Sequence, residues 1–485
     1  MMRFLKNFIN DKEKRIVNTN ERIVYLRTLF CRVYILVILV LIIFNAIFLY
    51  QFFQKNINLF KSWHSCNRIV VIESDDWGKH GLSKKILGDM LSTLSIDDFF
   101  VPLTYQNGLD LLRDAIESED DLEKLYNVLE RHKDSRGRNP IFTAYMIVAN
   151  PDFNIIQKNE FQKYSVIEPD CNIIAKWSEG VKRGIFYPQY HGYAHFNYEW
   201  WLKQLINKDL LIRKLFYLNV VRIPKVSVEG VKLDFRAEYI DLSVSPSLSM
   251  SFEKQKEIIG KGLNIFEKLF GFKSLSTMAP FYYWDKDTEK AWSLFGVRYI
   301  QGGEGHSIGT NKNGKKIKTK HFIGERNDLG QLYSIRNCRF EPMGRQQYRW
   351  EDTFREVEDA FNHNLPAIIA THRYNYVSGV DRKMRDLDLA MLDMLLTQIK
   401  NRYPGIIYLT SVELGELISS GTFQDFITGK VVKLPIAWSS NINWLLKKKL
   451  IQSLLLLLIL LLSGLFIILK KTKIENSKCN LIWRG

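Results

Sequence analysis

The chain has 485 residues, of which 46% are hydrophobic, 25% charged and 13% aromatic. That composition excludes a wholly membrane-embedded protein, which would be far more apolar, and a disordered chain, which would hold fewer aromatics. The length suffices for one large domain or two small ones. The net charge of +16 does not point to nucleic acid, because most of it flanks two uncharged apolar runs: residues 1–32 hold eight Lys/Arg against three acids, Lys447, Lys448 and Lys449 stand together, and five basic residues against one acid follow Leu469.

Taken in chain order, residues 1–32 read as a basic cytoplasmic N-terminus. Residues 33–54 (VYILVILVLIIFNAIFLYQFFQ) carry no charge and are long enough for a transmembrane helix, which needs about 20 apolar residues. The run is too long for a signal-peptide core, and no small-residue cleavage site follows it cleanly. The positive-inside rule puts the N-terminus in the cytoplasm and the middle of the chain outside it, although Lys447–Lys449 work against that orientation. Residues 450–469 form a second uncharged run between lysine clusters and read as a second transmembrane helix, with 470–485 as a basic tail. The five cysteines show no CxxC and no regular spacing, so neither a zinc knuckle nor a disulfide framework is indicated.

Between the two runs, residues 66–425 alternate short apolar segments with helical patterns. Strands are expected at 68–73, 141–148, 184–190, 274–278, 297–301, 332–336, 367–371 and 405–409. Helices are expected at 82–94, 120–132, 252–270 (stopped by Gly271), 350–361 and 384–401. Strands separated by helices argue an α/β fold with a parallel sheet or barrel. Residues 207–250 break the alternation and read as an insertion, with short strands near 222–228 and 232–239.

Three constellations follow apolar runs, where such folds carry their chemistry. The first is Glu73-Ser74-Asp75-Asp76-Trp77-Gly78. Adjacent carboxylates at a strand end are costly unless something positive lies near, and one can ligate a metal while the other handles protons. The bland alternative is an acidic loop capping the next helix. The second is His191-Gly192-Tyr193-Ala194-His195. Histidines at i and i+4 share one face of a helix and can reach one metal. The third is His372, at the end of an apolar strand and followed by Arg373, where a fixed imidazole suits a general acid.

In this order the motifs resemble the polysaccharide deacetylase family, and the resemblance covers about 66–415. Asp75 and Asp76 look like its Asp-Asp pair, a catalytic base followed by a metal ligand. His191 and His195 look like its two metal-binding histidines, and His372 like its late catalytic histidine. Met278-Ala279-Pro280-Phe281 looks like its Arg-x-Pro-Tyr stretch. The resemblance implies a distorted (β/α) barrel of seven or eight strands, a divalent metal (often zinc) on Asp76, His191 and His195, and hydrolysis of acetyl groups on an N- or O-acetylated glycan. It also implies substrate or oxyanion contacts near Pro280, Phe281, Trp77 and Arg373. Tyr193, Trp200, Trp201, Tyr282, Tyr283 and Trp284 are further aromatic candidates for sugar contact. Two departures stand out. The family's arginine, which holds the catalytic Asp, is Met278 here, with Arg373 or Arg236 as candidate replacements. Its Asp-Trp element is not obvious, although Arg339 or Glu341 is placed to support His372. Two other readings stay open: a glycan-binding or assembly protein without turnover, and a glycoside hydrolase using Glu73 or Glu341 with Asp75. The expected partners are an acetylated glycan and the membrane, with no nucleic acid, because the middle region lacks a basic-aromatic signature.

Overall fold

A computed structural model describes residues 57–93, 114–221, 226–228, 231–342 and 348–434, with helical residues scattered through 29–54 and 458–464. The chain divides into two compact units, Met1–Phe60 with Ser440–Gly485, and Lys61–Ser439. Among the described residues no helix is long and apolar enough to cross a membrane; the expected span at 33–54 is described only in interrupted helical pieces, and the one at 450–469 lies mostly outside the described residues.

The second unit is built on a nine-stranded sheet. Its strands are β1 (Ile69–Trp77), β2 (Phe142–Ile147), β3 (Phe186–Gly192), β4 (Ser276–Thr277) and β5 (Tyr299–Gly302). A two-stranded antiparallel hairpin, β6 (Gly305–Thr310) and β7 (Lys316–Lys320), stands apart from the sheet. The sheet resumes with β8 (Leu332–Ile335), β9 (Cys338–Arg339), β10 (Ala367–His372) and β11 (Ile407–Tyr408). The order is β8-β5-β4-β3-β2-β1-β10-β9, with β11 also on β1, and every pairing within it is parallel.

The apolar runs explain why. All of β1 and β2 is buried, as Val/Ile-rich parallel strands covered on both faces must be. Val70, Val71, Ile72, Ile368 and Ile369 are at most 2% exposed, and each such side chain contributes about 1.5–3 kcal/mol of burial. The connecting helices include α1 (Glu119–Glu130), α2 (Cys171–Lys182), α3 (Phe252–Phe270), α4 (Lys286–Leu294), α5 (Trp350–Asn362), α6 (Arg382–Arg402) and α7 (Ser411–Ser420). Their ends carry local signals. Ser118 with Asp121 and Thr410 with Glu413 form capping boxes, and α3 stops at Gly271 with φ 76°.

The two edge strands of this order, β8 and β9, are separated in sequence only by Arg336 and Asn337. Three residue steps reach at most about 11 Å, so the sheet must curl until its edges face each other. Arg336 N donates to Gly302 O on β5 (2.8 Å) and Asn337 N to Ile368 O on β10 (3.2 Å), so this dipeptide bridges the seam. The result fits a distorted (β/α) barrel. The expected insertion at 207–250 holds a helix, Leu210–Tyr217, and two small hairpins. The strand expected at 232–239 is present only as Val231–Leu233.

Candidate metal and catalytic centre

Parallel strands end on the same rim of a barrel, and the candidate residues lie at those ends. Asp75 on β1 is in register with His372 on β10. The β1–β2 register shifts between Ser74 and Trp77, and Asp76 there has φ 70°. The irregularity turns the two neighbouring carboxylates toward different partners, at a backbone strain that persists only where the surroundings hold it.

Asp76, His191 and His195 converge. One ligand atom from each lies within 4.8 Å of the others, and all three residues are buried. Asp76 Oδ1 faces His195 Nε2 at 2.9 Å and His191 Nε2 at 3.4 Å. Asp76 Oδ2 accepts from Lys79 Nζ (2.7 Å), which also pairs with Asp114 (2.6 Å). His191 Nδ1 lies 3.0 Å from the carbonyl of Met278, which fixes the ring and leaves Nε2 for the centre. Burial opposes ionisation of Asp76, but His195 and Lys79 hold its carboxyl well below the usual range. Burial also depresses His195 to about 3, so its ring is neutral and able to ligate. One carboxylate and two imidazoles whose Nε2 atoms converge on it fit a catalytic divalent-metal site with open positions. The histidine pair does not lie on a helix, as its spacing suggests. His191 is near the end of β3, Gly192 has φ 153°, and His195 sits in the following loop with φ 68°. At φ 153° a side chain would be strained, and a Cβ at Gly192 would also come within 2.5 Å of Glu238 Oε2, so the turn favours glycine. Glu238 Oε1 accepts from Ala194 N (2.5 Å), and burial pushes its carboxyl up to about 7.

The arginine that holds Asp75 is Arg336, not Arg373 or Arg236. Arg336 Nη1 and Nη2 each donate to an Asp75 oxygen at 2.6 Å, and Nε donates to Glu73 at 2.6 Å. Nη1 also reaches Tyr282 Oη (3.2 Å). Burial would raise Asp75, yet the guanidinium lowers its pKa; at Glu73, without the second contact, burial wins and the pKa is raised. Glu73 is 0% exposed and also accepts from Ser411 (2.7 Å). A glycosidase pair using Glu73 with Asp75 is therefore not built, because one member cannot reach a substrate.

His372 Nε2 lies 3.8 Å from Asp75 Oδ2, and its Nδ1 lies 2.5 Å from Glu341 Oε1. Glu341 is itself fixed by Tyr374 (2.5 Å) and Asn375 (2.7 Å). Burial works against the imidazolium, but Glu341 and then Asp75 raise His372 to about 9. The pair sets a protonated imidazole beside an ionised carboxylate.

The other candidates fall elsewhere. Arg373 is 0% exposed and bonds Asp114 (2.6 Å), Glu117 (2.9 Å) and the carbonyl of Lys79 (2.6 Å), so it braces the metal half from below rather than touching a substrate. Trp77 is 1% exposed, with its ring 6.3 Å from that of Tyr376 and stacked on it, so it is core rather than a sugar platform. Tyr193, Trp201, Tyr283 and Trp284 are buried too, whereas Trp200, Phe281 and Tyr282 keep partial exposure. Pro280 is buried in the 3-10 turn Pro280–Tyr282, which puts the Phe281 ring 5.2 Å from that of His195. Arg336 and Lys79 were not singled out by motif. The one available signal for Arg336 was a basic residue closing the expected strand at 332–336.

No family model matches this sequence, and no curated protein does. The chain is similar to several solved structures. A CE4 family pseudoenzyme from Bacillus anthracis shares 9% identity over 73% of this chain and 66% of that one, with a TM-score of 0.32. A family 4 acetyl xylan esterase from Clostridium thermocellum, in complex with cobalt, shares 11% identity over 72% and 91%, with a TM-score of 0.29. A family 4 carbohydrate esterase from Streptomyces lividans, in complex with acetate, shares 8% over 76% and 100%, with a TM-score of 0.29.

Proposed function

We propose that this chain is a metal-dependent hydrolase of the polysaccharide deacetylase type, removing acetyl groups from an N- or O-acetylated glycan. The observation that carries the reading is one rim holding a ligand triad, Asp76, His191 and His195, beside a clamped carboxylate, Asp75, and a charged imidazole, His372. Asp76, His191 and His195 would hold a divalent cation, zinc being the first candidate for that donor set. When bound, such a cation supplies Lewis-acid polarisation of the acyl oxygen and makes water a stronger acid.

The remaining steps belong to the chain's own residues. Asp75, kept ionised by Arg336, accepts the proton of the attacking water. Arg336 aims that carboxylate without touching the substrate, as a positioning residue. His372, kept protonated by Glu341, delivers a proton through Nε2 to the departing amine or alkoxide. Phe281 and Tyr282 offer partly exposed aromatic faces at the rim. The departure at Met278 does not argue against turnover, because Arg336, between β8 and β9, clamps Asp75 with two bonds.

The basic N-terminal flank supports placing this unit outside the cytoplasm, and a reporter fused after Lys61 tests that placement. The chemistry is tested by acetate release from N-acetylglucosamine oligomers and from acetylxylan, with and without a chelator. Acetate release abolished by chelation and restored by added metal supports the proposal. Shortened sugars without acetate would replace it with a glycosidase. Binding without either product would leave a non-catalytic glycan protein.

A further inference from the structure

The loop that carries His195 has to be held in place. His195 has φ 68°, and a left-handed residue with a side chain persists only where its surroundings fix it. One hold comes from the barrel: Ala149 N, just after β2, donates to Tyr193 O (2.8 Å). A second comes from the insertion at 207–250. Asn197 N donates to Phe235 O (2.8 Å), and Ala194 N donates to Glu238 Oε1 (2.5 Å). Both acceptors lie in the stretch that joins the insertion's two small hairpins.

Of these three contacts only the one from Glu238 is made by a side chain. Glu238 is 1% exposed, and its oxygens meet the loop on either side of Tyr193. Oε1 accepts from Ala194 N, and Oε2 lies against Gly192, where an added Cβ would stand 2.5 Å from it. A carboxyl is costly to bury, and this one is spent on a backbone N–H between the two candidate ligands. On the far side of the loop Asp76 Oδ1 faces His195 Nε2 at 2.9 Å. The ring of His195 is thus met by Asp76, and its backbone is braced one residue earlier by Glu238. The bland alternative is an acid that serves the fold as a whole, and it makes a different prediction about metal affinity.

We propose that Glu238 is a positioning residue for the metal centre, holding the loop from His191 to His195 so that both Nε2 atoms meet Asp76. The local backbone makes the turn, and Glu238 keeps it from opening. It acts through the loop backbone and not by ligation. The inference rests on the metal-dependent hydrolase reading and adds to it a residue outside the short motifs, supplied by the insertion. Groups that orient ligands from behind typically carry about 10–100-fold of metal affinity.

The test uses the full-length protein with zinc alone, its dissociation constant read by competition with a chromophoric chelator, and with cobalt alone, read by the visible absorption of the bound ion. Glu238→Gln keeps an oxygen within reach of Ala194 N, whereas Glu238→Asp keeps the charge but withdraws the oxygens by one methylene. Zinc affinity should fall about 10-fold in Glu238→Asp and change little in Glu238→Gln. The cobalt spectrum should shift in Glu238→Asp alone. Urea unfolding of the metal-free proteins supplies the comparison, because a residue that serves only the fold lowers the midpoint and leaves zinc affinity where it was. Equal zinc affinity or one cobalt spectrum in all the proteins overturns the proposal. So does an equal loss in both variants, which would make charge rather than reach the cause. If Glu238→Asp does not fold, Glu238→Ala is read in its place, and failure of both to fold makes Glu238 a residue of the fold and overturns its positioning role. A wild-type protein that binds no zinc removes the metal centre and the hydrolase reading together, whereas equal binding by all removes only the role of Glu238.

Discussion

Asp76, His191 and His195 are placed by local backbone, whereas Asp75 and His372 are placed by partners far along the chain. Two of the three candidate ligands, Asp76 at φ 70° and His195 at φ 68°, sit in left-handed conformations, and Gly192 between the histidines has φ 153°, which L side chains rarely adopt. Asp75 and His372 lie in register on adjacent strands. Their orienting partners are Arg336, 261 residues from Asp75, and Glu341, 31 residues from His372. The candidate metal half is thus set by strained backbone and glycine, with Lys79 beside Asp76, and the proton half by charge pairs that reach across the chain. The two halves should fail separately and in different ways.

The sharpest separation is between neighbours. Asp75→Asn keeps the shape and removes the proton acceptor, so kcat should fall about 10²–10⁴-fold with metal content retained. Asp76→Asn replaces a charged ligand by a neutral one and should lose the metal as well. If Asp75→Asn strips metal and Asp76→Asn does not, the two roles are reversed.

Next in size is the seam arginine. Arg336→Met leaves Glu73 and Asp75 buried without their cation, and removing one member of such a set costs about 3–5 kcal/mol. Urea unfolding measures it. The matching change on the metal half, Lys79→Met, removes a cation that touches Asp76 and Asp114, and should instead weaken metal affinity about 10–100-fold. Equal loss of stability in both variants would break the contrast between the halves.

The smallest effect is a shift in pH dependence. Glu341 raises His372 to about 9 from an ordinary 6.5. A raised imidazole pKa means that the charged pair's stabilisation is full below pH 6.5 and fades as pH climbs through about 9, and acid catalysis by His372 fades over the same upper limb. Glu341→Gln should therefore move the alkaline limb of kcat down toward pH 6.5. A limb that stays in place would show that another group sets it.

The sequence exposed the local half of this design far better than the distant half. The apolar runs that became β1, β2 and β10 were plain, because strands buried on both faces are largely apolar, and the end of α3 was marked by Gly271. The candidate ligands stood in short motifs, though His191 and His195 do not lie on the helix their spacing suggested. A spacing of four does not separate a helix face from a strand end followed by a glycine turn. Arg336 was hidden because nothing in one dimension says that β8 and β9 are opposite edges of a sheet that curls back on itself. Arg373 drew attention by adjacency to His372, yet it is turned inward to Asp114 and Glu117. Trp77 followed the acidic motif for packing reasons, since its ring completes the core against Phe186 and Tyr376. Side-chain direction at a strand end depends on local backbone, and the β1 irregularity at Asp76 leaves no trace in residue type.

The most direct single measurement is the divalent-metal content of the purified full-length protein, wild type against His191→Ala. A buried triad of one carboxylate and two imidazoles predicts one bound metal per chain in the wild type, lost when His191 is removed. Equal metal content in the two proteins, or none in either after exposure to zinc, would contradict a metal centre at Asp76, His191 and His195.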